Sequence, residues 1–158
     1  MTTSDAPIKI ARVITVPMGA MGSRSFLAAL AREPGVELDL VVSPGFGFEV
    51  LDELRLNQLI PVQMKRGISP LHDLRSVWQL TRVLREGQYD VVHSHTPKAG
   101  LVTALAGIIA RTPVRIHSYT GQRWETLSGA KRILVMGSER LMGVLDTECL
   151  TDSHAQVD

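Results

Sequence analysis

A phosphate-binding helix start is predicted from the segment Asp90–Gly100, whose sequence is DVVHSHTPKAG. It reads as a short buried strand, Tyr89–His93, that runs straight into a helix. Thr96 has the side chain of a helix N-cap, and Pro97 stands at the first helical position, where its missing N–H costs nothing. Such a helix start offers unpaired backbone N–H groups and the positive end of the helix dipole, and Lys98 adds a cation. We therefore expect an anion here, most naturally a phosphate.

Three histidines accompany this segment, His93 and His95 within it and His117 on the next predicted strand. His95 is a candidate hydrogen-bonding residue for a ligand, or else a residue that only caps the loop backbone. A metal site would need an Asp, Glu or Cys at ligand spacing, and none accompanies these histidines. The sequence therefore predicts no metal and no other cofactor.

Strand-like and helix-like segments alternate along the chain with short connections. The predicted strands are Ile8–Pro17, Val36–Val42, Ile60–Met64, Tyr89–His93, Val114–Tyr119 and Thr147–Leu150. The predicted helices are Arg24–Arg32, Pro70–Glu86, Lys98–Ala110 and Thr126–Leu145, with loop and a short helix over Phe46–Asn57. This alternation predicts an α/β fold, namely a doubly wound, Rossmann-like, mostly parallel sheet of about six strands in the order 3-2-1-4-5-6, with helices on both faces.

The predicted helices differ in how their apolar residues are spaced. Lys98–Ala110 is apolar nearly all round, so it should be buried on more than one side. The helix from Pro70 carries one apolar stripe at helical spacing, which we expect to pack against the core. That stripe consists of Leu71, Leu74, Val77 with Trp78, Thr81 and Leu84. A similar one on the last helix consists of Leu127, Ala130, Leu134, Leu141 and Leu145.

Ligands of doubly wound sheets bind beyond the carboxyl ends of the strands, where the strand order reverses. In the predicted order that point lies between strands one and four. Pro17–Ser23, predicted as a loop, and His95–Gly100 converge there, with Thr120–Trp124 beside them. Arg123 and Trp124 could stack on a sugar ring or sit in a lipid headgroup layer, although an ordinary packed tryptophan is the alternative interpretation.

The composition indicates an ordinary globular domain of a reducing cytoplasm. The chain has 158 residues, 44% hydrophobic and 21% charged, which suffices for one domain with its own core. Its single cysteine, Cys149, excludes a disulfide framework. The polar start Met1–Pro7 lacks the pattern of a signal peptide, and the longest apolar run, Ala99–Ala110, is too short to span a bilayer.

Charge is unevenly distributed, although the net charge is only +1. Arg66–Arg140 holds eleven Lys/Arg against five Asp/Glu, whereas Met1–Glu53 holds four against seven. A basic excess suits an anionic ligand or an acidic lipid surface. Arg75, Arg82 and Arg85 share one side of their predicted helix, where they could meet anionic lipid or form a solvated face.

The motifs of dinucleotide and nucleotide sites are missing. A nicotinamide dinucleotide would need Gly-x-Gly-x-x-Gly after strand one and an acid at the end of strand two. The first loop offers only Gly19 and Gly22, and strand two ends at Ser43, with Asp39 inside it. The Gly-Lys-Ser/Thr of a P-loop is absent from the sequence.

Three segments together resemble the amino-terminal half of bacterial glycosyltransferases. They are Lys65–Leu74 (KRGISPLHDL), Asp90–Gly100 and Val114–Gln122 (VRIHSYTGQ). The resemblance is to family-four enzymes of GT-B fold that build capsular, O-antigen and exopolysaccharide chains. It covers most of the chain, and the HTPKAG run is its most specific part.

The resemblance implies a two-domain retaining enzyme of which this chain is the acceptor-binding half, residues 1–158, without the domain that binds the nucleotide-sugar donor. Such a half should not transfer sugar by itself, and no catalytic residue is assigned to it. The implied acceptor is a saccharide, polyprenyl-diphosphate-linked in our interpretation, at the inner membrane surface, and nucleic acid is not an expected partner. The acceptor-binding candidates are Gly19, Gly22, His95, Thr96, Lys98, Thr120, Gly121 and Arg123, with Lys98 on the diphosphate.

Two departures from the family pattern leave other interpretations open. The first loop reads GAMG where many members show Gly-Gly, and Thr120 stands where many have a histidine, so it could supply only a hydroxyl. One alternative is a GT-B sugar-nucleotide epimerase, for which Glu125 is the only cleft carboxylate. The other is a non-enzymatic phosphate- or nucleotide-binding Rossmann module.

Overall fold

The polypeptide forms a six-stranded, all-parallel sheet with helices on both faces, in a computed structural model that describes residues 6–48, 51, 54, 56–65, 67, 69–119 and 128–151 (of Lys131 only the backbone). The strands are β1 (Ile8–Ile14), β2 (Val36–Val42), β3 (Gln58–Pro61), β4 (Val91–Ser94), β5 (Val114–Tyr119) and β6 (Glu148–Thr151). The helices are α1 (Pro17–Gly22), α2 (Arg24–Leu30), α3 (Pro70–Gly87), α4 (Pro97–Ala110) and α5 (Gly129–Leu145).

The strand order is β3-β2-β1-β4-β5-β6, which confirms the predicted topology. The first strand pairs in parallel with β2 on one side and β4 on the other, with Ala11 opposite both Asp39 and Val92. The order therefore reverses between β1 and β4, and their carboxyl ends form the switch point where ligands of such sheets bind.

Side-chain alternation along the strands builds a core on each face of the sheet. On one face Val13, Val92 and Leu80 belong to a cluster with α3 and α4. On the other, Ile14 and Leu40 pack with Leu27 of α2. Strand β2 is buried from Leu38 to Val42 because it has a core on both sides, as is typical of parallel sheets.

The predicted loop Pro17–Ser23 is wrong, since this segment forms helix α1. Pro17 is the first residue of α1, a position where proline is favoured. Ser23, predicted to cap α2, makes no side-chain cap bond to it. Its hydroxyl instead donates back to the carbonyls of Gly19 and Ala20, at 3.3 Å each, and so closes the end of α1.

The third strand begins and ends earlier than predicted. Register with β2, where Asp39 lies opposite Gln58, fixes it at Gln58–Pro61. Beyond it the Met64 N–H donates to Ser43 Oγ at 2.5 Å, and the Met64 side chain turns into the core. The other predicted strands and the four predicted long helices are confirmed to within a few residues, and β5 has the bounds that were predicted for it. The short helix predicted within Phe46–Asn57 falls on a segment of which only part lies among the described residues, so it stays a prediction.

The apolar stripe predicted on α3 is divided between two faces. Val77, Thr81 and Leu84 are buried as expected, together with Leu80. Leu71, Leu74 and Trp78 face solvent, 83%, 69% and 63% exposed. The prediction failed there because spacing identifies a shared face but not which face meets the core. On α5, likewise, Leu134 and Leu141 are exposed and Met142 is buried.

Candidate functional site

The site is built where β1 and β4 end side by side. Thr15 follows β1 directly, and Thr96 is the N-cap residue of α4. Their hydroxyl oxygens lie 2.5 Å apart, and the His95 N–H donates to the Val13 carbonyl at 3.3 Å. The two strand ends predicted to meet are therefore joined by hydrogen bonds.

Helix α4 begins without a side-chain cap. Thr96 has the extended backbone of an N-cap, but its hydroxyl is paired with Thr15 and makes no cap bond to the helix. The predicted capping role of Thr96 is therefore wrong. Because Pro97 carries no N–H, the first backbone donors of α4 come after it. The positive end of the α4 dipole thus lies at the carboxyl edge of the sheet without a side-chain acceptor from its cap.

Lys98 is held by a partner that sequence analysis missed. Its ammonium lies 2.5 Å from Asp73 Oδ1 and donates to the Gly67 carbonyl at 3.1 Å. Asp73 also accepts the Ser69 N–H through Oδ2 at 3.3 Å, at the start of α3. The pair is largely buried, with 14% of the Lys98 side chain exposed, so an anion here would share Lys98 with Asp73. The sequence signal for Asp73 was its position four residues after Ser69, at the start of a predicted helix, where an acidic side chain can accept a backbone N–H.

Gly19 and Gly22, both predicted to contact the acceptor, differ in their surroundings. A Cβ on Gly19 would lie 2.8 Å from Ile14 Cγ2 and 3.8 Å from Thr96 Cγ2. Gly19 therefore lets α1 approach the ends of β1 and β4. Gly22 is the last residue of α1, and a Cβ there would meet nothing within 4 Å.

The histidines do not converge. His93 bonds Ser118 through Nε2 at 2.8 Å, whereas His117 bonds Ser94 through Nδ1 at 2.7 Å. Because His93 and Ser94 are successive residues of β4, these bonds lie on opposite faces of the sheet. Among the residues that the structure describes, no three side chains of His, Cys, Asp or Glu could together hold a metal ion. His95 follows β4 at the switch point and is half-buried.

Two of these histidines are neutral near pH 7. Burial, and then the neighbouring Arg12, His95 and His117, lower the pKa of His93 to about 3. Burial, and then His95 and Arg12, lower the pKa of His117 to about 4. Both therefore serve as neutral hydrogen-bonding groups inside the sheet rather than as proton carriers.

Arg12 is a buried cation that the sequence analysis did not single out. It is 2% exposed, lies opposite His93 in the β1–β4 register, and stacks over the Phe26 ring at 5.4 Å. Burial lowers its pKa to about 10, so it keeps its charge at neutral pH. A charged residue in the middle of the otherwise apolar run Ile10–Ile14 was the available signal.

Part of the predicted site lies outside the described residues. This holds for Thr120, Gly121 and Arg123, and also for Trp124 and Glu125. The structure thus brings Gly19, Thr96 and Lys98 to the carboxyl edge with His95, and it leaves the contribution of the segment after β5 as a prediction.

A cavity lies at the opposite, amino edge of the sheet. It has a volume of about 520 Å³ and is lined by residues that include Lys9, Asp39, Asn57 and Tyr89. Its polar groups bond one another, since Asp39 accepts hydrogen bonds from the Tyr89 hydroxyl and from Asn57. The amino edge is the end where ligands of parallel sheets are not bound.

Residues 20–158 match the family of glycosyl transferase 4-like domains. The chain belongs to this family. Within the described residues, no helix combines the length and the apolarity that crossing a bilayer requires.

Two relatives cover nearly all of this chain. The capsular polysaccharide biosynthesis glycosyltransferase CapM of Staphylococcus aureus is 29% identical over 147 residues, 93% of this chain and 38% of that protein. The UDP-Gal:alpha-D-GlcNAc-diphosphoundecaprenol alpha-1,3-galactosyltransferase of Escherichia coli is 26% identical over 154 residues, 96% of this chain and 39% of that protein. The chain therefore spans about two fifths of the length of these relatives.

Solved structures share the fold at lower identity. The UDP-GlcNAc 2-epimerase of Methanocaldococcus jannaschii superimposes with a TM-score of 0.70 at 14% identity, covering 92% of this chain and 40% of that one. At this identity the likeness shows the fold alone, so it does not argue for the epimerase alternative.

Proposed function

We propose that this chain is the acceptor-binding half of a retaining glycosyltransferase that moves a sugar from a nucleotide-sugar to a saccharide carried on a polyprenyl diphosphate, in the synthesis of a surface polysaccharide. Family membership supports this, as do the names of the two relatives, one of which acts on a diphosphoundecaprenol-linked sugar. The observation that carries the proposal is the start of α4, which points an uncapped helix end out of the switch point beside Lys98.

In this proposal the acceptor diphosphate binds at the first turn of α4. Backbone N–H groups there and the helix dipole favour an anion, and the Lys98 ammonium adds an attraction that the anion would share with Asp73. Gly19 keeps the opposite wall close, and His95 and Thr96 offer polar atoms to the saccharide. Thr120, Gly121 and Arg123, which lie outside the described residues, would also contact the acceptor in this proposal.

The transfer itself requires a donor domain that belongs to the rest of such an enzyme. An acceptor hydroxyl oxygen bonds to the sugar C1, the bond from C1 to the donor diphosphate breaks, and the hydroxyl proton leaves with the nucleotide diphosphate or to solvent. This half would orient the acceptor, and the charge on the leaving diphosphate would be stabilised by the donor domain. The site of action would be the cytoplasmic face of the inner membrane.

Calorimetry tests the proposal with a short-chain prenyl-diphosphate saccharide, which is soluble without vesicles. We expect this probe to bind the 158-residue chain and UDP to bind it far more weakly. Lys98→Ala should weaken binding at least tenfold, whereas Lys9→Ala, a matched lysine at the amino edge of the sheet, should leave it unchanged. Tight UDP binding, or equal losses in both variants, would contradict the proposal.

A further inference from the structure

Helix α3 has a second apolar face that the core does not use. Leu71, Leu74 and Trp78 are 83%, 69% and 63% exposed, while the side that contacts the sheet and α4 is formed by residues such as Leu80 and Leu84. Three large apolar side chains in one row on a helix surface are more than the scattered exposed leucine that any protein shows.

Arginines share this exposed face. With about 100° between successive helical residues, the six side chains of Leu71, Leu74, Arg75, Trp78, Arg82 and Arg85 fall within an arc of about 100°. We name these six residues the α3 ridge. Glu86 compensates part of the positive charge of the three arginines, since it pairs with Arg82 at 2.6 Å. The ridge is therefore apolar towards the start of α3 and cationic towards its end.

A groove beside the ridge continues the apolar surface onto α4. It has a volume of about 450 Å³ and runs between Leu74 and Trp78 on one side and Ile109 on the other. Arg85 spans its end by donating to the Ile109 carbonyl at 2.8 Å. Leu105 and Ile108 of α4 are also partly exposed, so the apolar surface extends across both helices.

We propose that the α3 ridge and this groove dock on the surface of an anionic lipid bilayer. Leucine and tryptophan side chains would enter the boundary between headgroups and acyl chains, where amphipathic aromatic residues are favoured. The arginines would pair with lipid phosphates, and this charge complementarity selects a bilayer over an uncharged apolar partner. The inference rests on the proposed function, because a polyprenyl carrier keeps its acceptor at a membrane.

The position of the ridge fits the proposed site. Leu71 and Leu74 flank Asp73 on the first turns of α3, and Asp73 holds Lys98 at 2.5 Å. The apolar end of the ridge therefore lies at the carboxyl edge of the sheet, beside the start of α4. A carrier whose chain stays in the bilayer next to Leu71 would present its diphosphate to Lys98 without leaving the membrane.

Vesicle flotation tests the docking on lipid that contains no polyprenyl diphosphate. We expect the chain to float with phosphatidylglycerol vesicles and to remain unbound with phosphatidylcholine vesicles. The triple variant Leu71→Ser/Leu74→Ser/Trp78→Ser should weaken binding at least tenfold. The triple variant Arg75→Gln/Arg82→Gln/Arg85→Gln should weaken it about a hundredfold, since each basic residue near an anionic surface contributes about fivefold.

Matched controls separate the ridge from general surface effects. Ile8→Ser/Arg32→Gln changes an exposed isoleucine at the start of β1 and an exposed arginine beyond the end of α2, and should bind vesicles like the unchanged chain. Because the substituted ridge residues are solvent-exposed, the melting temperature should stay the same in each variant.

Three outcomes would overturn the docking. The first is that the unchanged chain does not float with the vesicles. The second is an equal loss of vesicle binding in the ridge variants and the control variant. The third is that the chain does not bind vesicles but associates with itself, and that the leucine and tryptophan substitutions abolish this association. The last would assign the ridge to a second copy. Binding of the soluble prenyl-diphosphate saccharide can be measured on the same samples without vesicles. A chain that does not bind this probe would contradict the proposed function and not the docking.

Discussion

Helices α3 and α4 start in the same way and end up in different environments. Each begins with a hydroxyl residue followed by proline, Ser69-Pro70 and Thr96-Pro97, at the carboxyl edge of the sheet. Yet α4 contacts α3, α5 and three strands, whereas α3 contacts mainly α4 and keeps its outer face in solvent. The Asp73–Lys98 pair joins their first turns.

The position of each helix relative to the sheet determines how many of its sides must be apolar. Helix α4 is covered on several sides, so its side chains are small and apolar on most of them. Gly100 and Gly107 let its backbone lie close to the sheet. The outer helix needs only one buried face, which leaves its other face free for binding. In this account the start of α4 binds the diphosphate, and the exposed face of α3 binds the membrane surface.

The largest effect should separate the two faces of α3. Leu80→Ala removes a fully buried side chain and should lower the free energy of unfolding by about 3 kcal/mol. Leu74→Ala, on the exposed ridge, should change it by less than about 0.5 kcal/mol. Chemical denaturation of both variants measures this, and similar losses in the two would show that the ridge is packed.

The close approach of α4 should be nearly as sensitive. A Cβ on Gly100 would lie 2.5 Å from Met142 Sδ and 2.6 Å from His117 Cε1. We expect Gly100→Ala to destabilise the protein by about 2 kcal/mol through overpacking. Gly143→Ala in α5, where a Cβ meets nothing within 4 Å, should be neutral or stabilising by up to about 1 kcal/mol. Equal thermal shifts in the two variants would contradict the packing beneath α4.

Acid should loosen the protein beneath α4. The folded pKa of His117 is about 4, below its ordinary value of 6.5, so the unfolded chain takes up the proton first. The stability of the neutral form is complete above about pH 6.5 and is lost as the pH falls, by about 2 kcal/mol at pH 5. His93, whose pKa is lowered to about 3, should contribute a loss of similar size over the same range. Denaturation at pH 7 and pH 5 should show the combined loss, and His117→Asn should remove about half of it; a loss that is unchanged in His117→Asn would assign the effect to His93 alone.

The smallest effect concerns the link between the two helix starts. Asp73→Asn removes the charge that pairs with Lys98, and should cost about 1 kcal/mol of stability. The same change frees Lys98 for an anion, so affinity for the prenyl diphosphate should rise. Glu86→Gln, in an exposed pair with Arg82, should alter neither quantity measurably. An affinity that does not rise in Asp73→Asn would contradict the placement of Lys98 in the anion site.

The fold was predictable because alternation of buried strands with helices permits few topologies. Thr96 and Pro97 marked the start of α4, and the doubly wound order common for such alternation correctly predicted the arrangement of all six strands. Helix α4, apolar nearly all round, was correctly expected to be buried on more than one side. Pro17 carried the signal of a helix start but stood in a glycine-containing run, so α1 was predicted as a loop.

The site was only half predictable, for physical reasons. Residue types identified Thr96 and Lys98, but their partners Thr15 and Asp73 lie 81 and 25 positions away in sequence and meet only in the fold. The exposed face of α3 was mistaken for a core face because leucine and tryptophan at helical spacing are common to both. Arg12 was overlooked because Lys9 stands in the same strand, and the sequence does not show which of the two cations is buried.

Amide chemical shifts of the 158-residue chain, recorded as a short-chain prenyl-diphosphate saccharide is added, test the central claim most directly. The account predicts that the shifts change at His95–Gly100 and at Gly19, around the start of α4. Changes confined to the amino-edge cavity, at Lys9, Asp39 and Asn57, would contradict it.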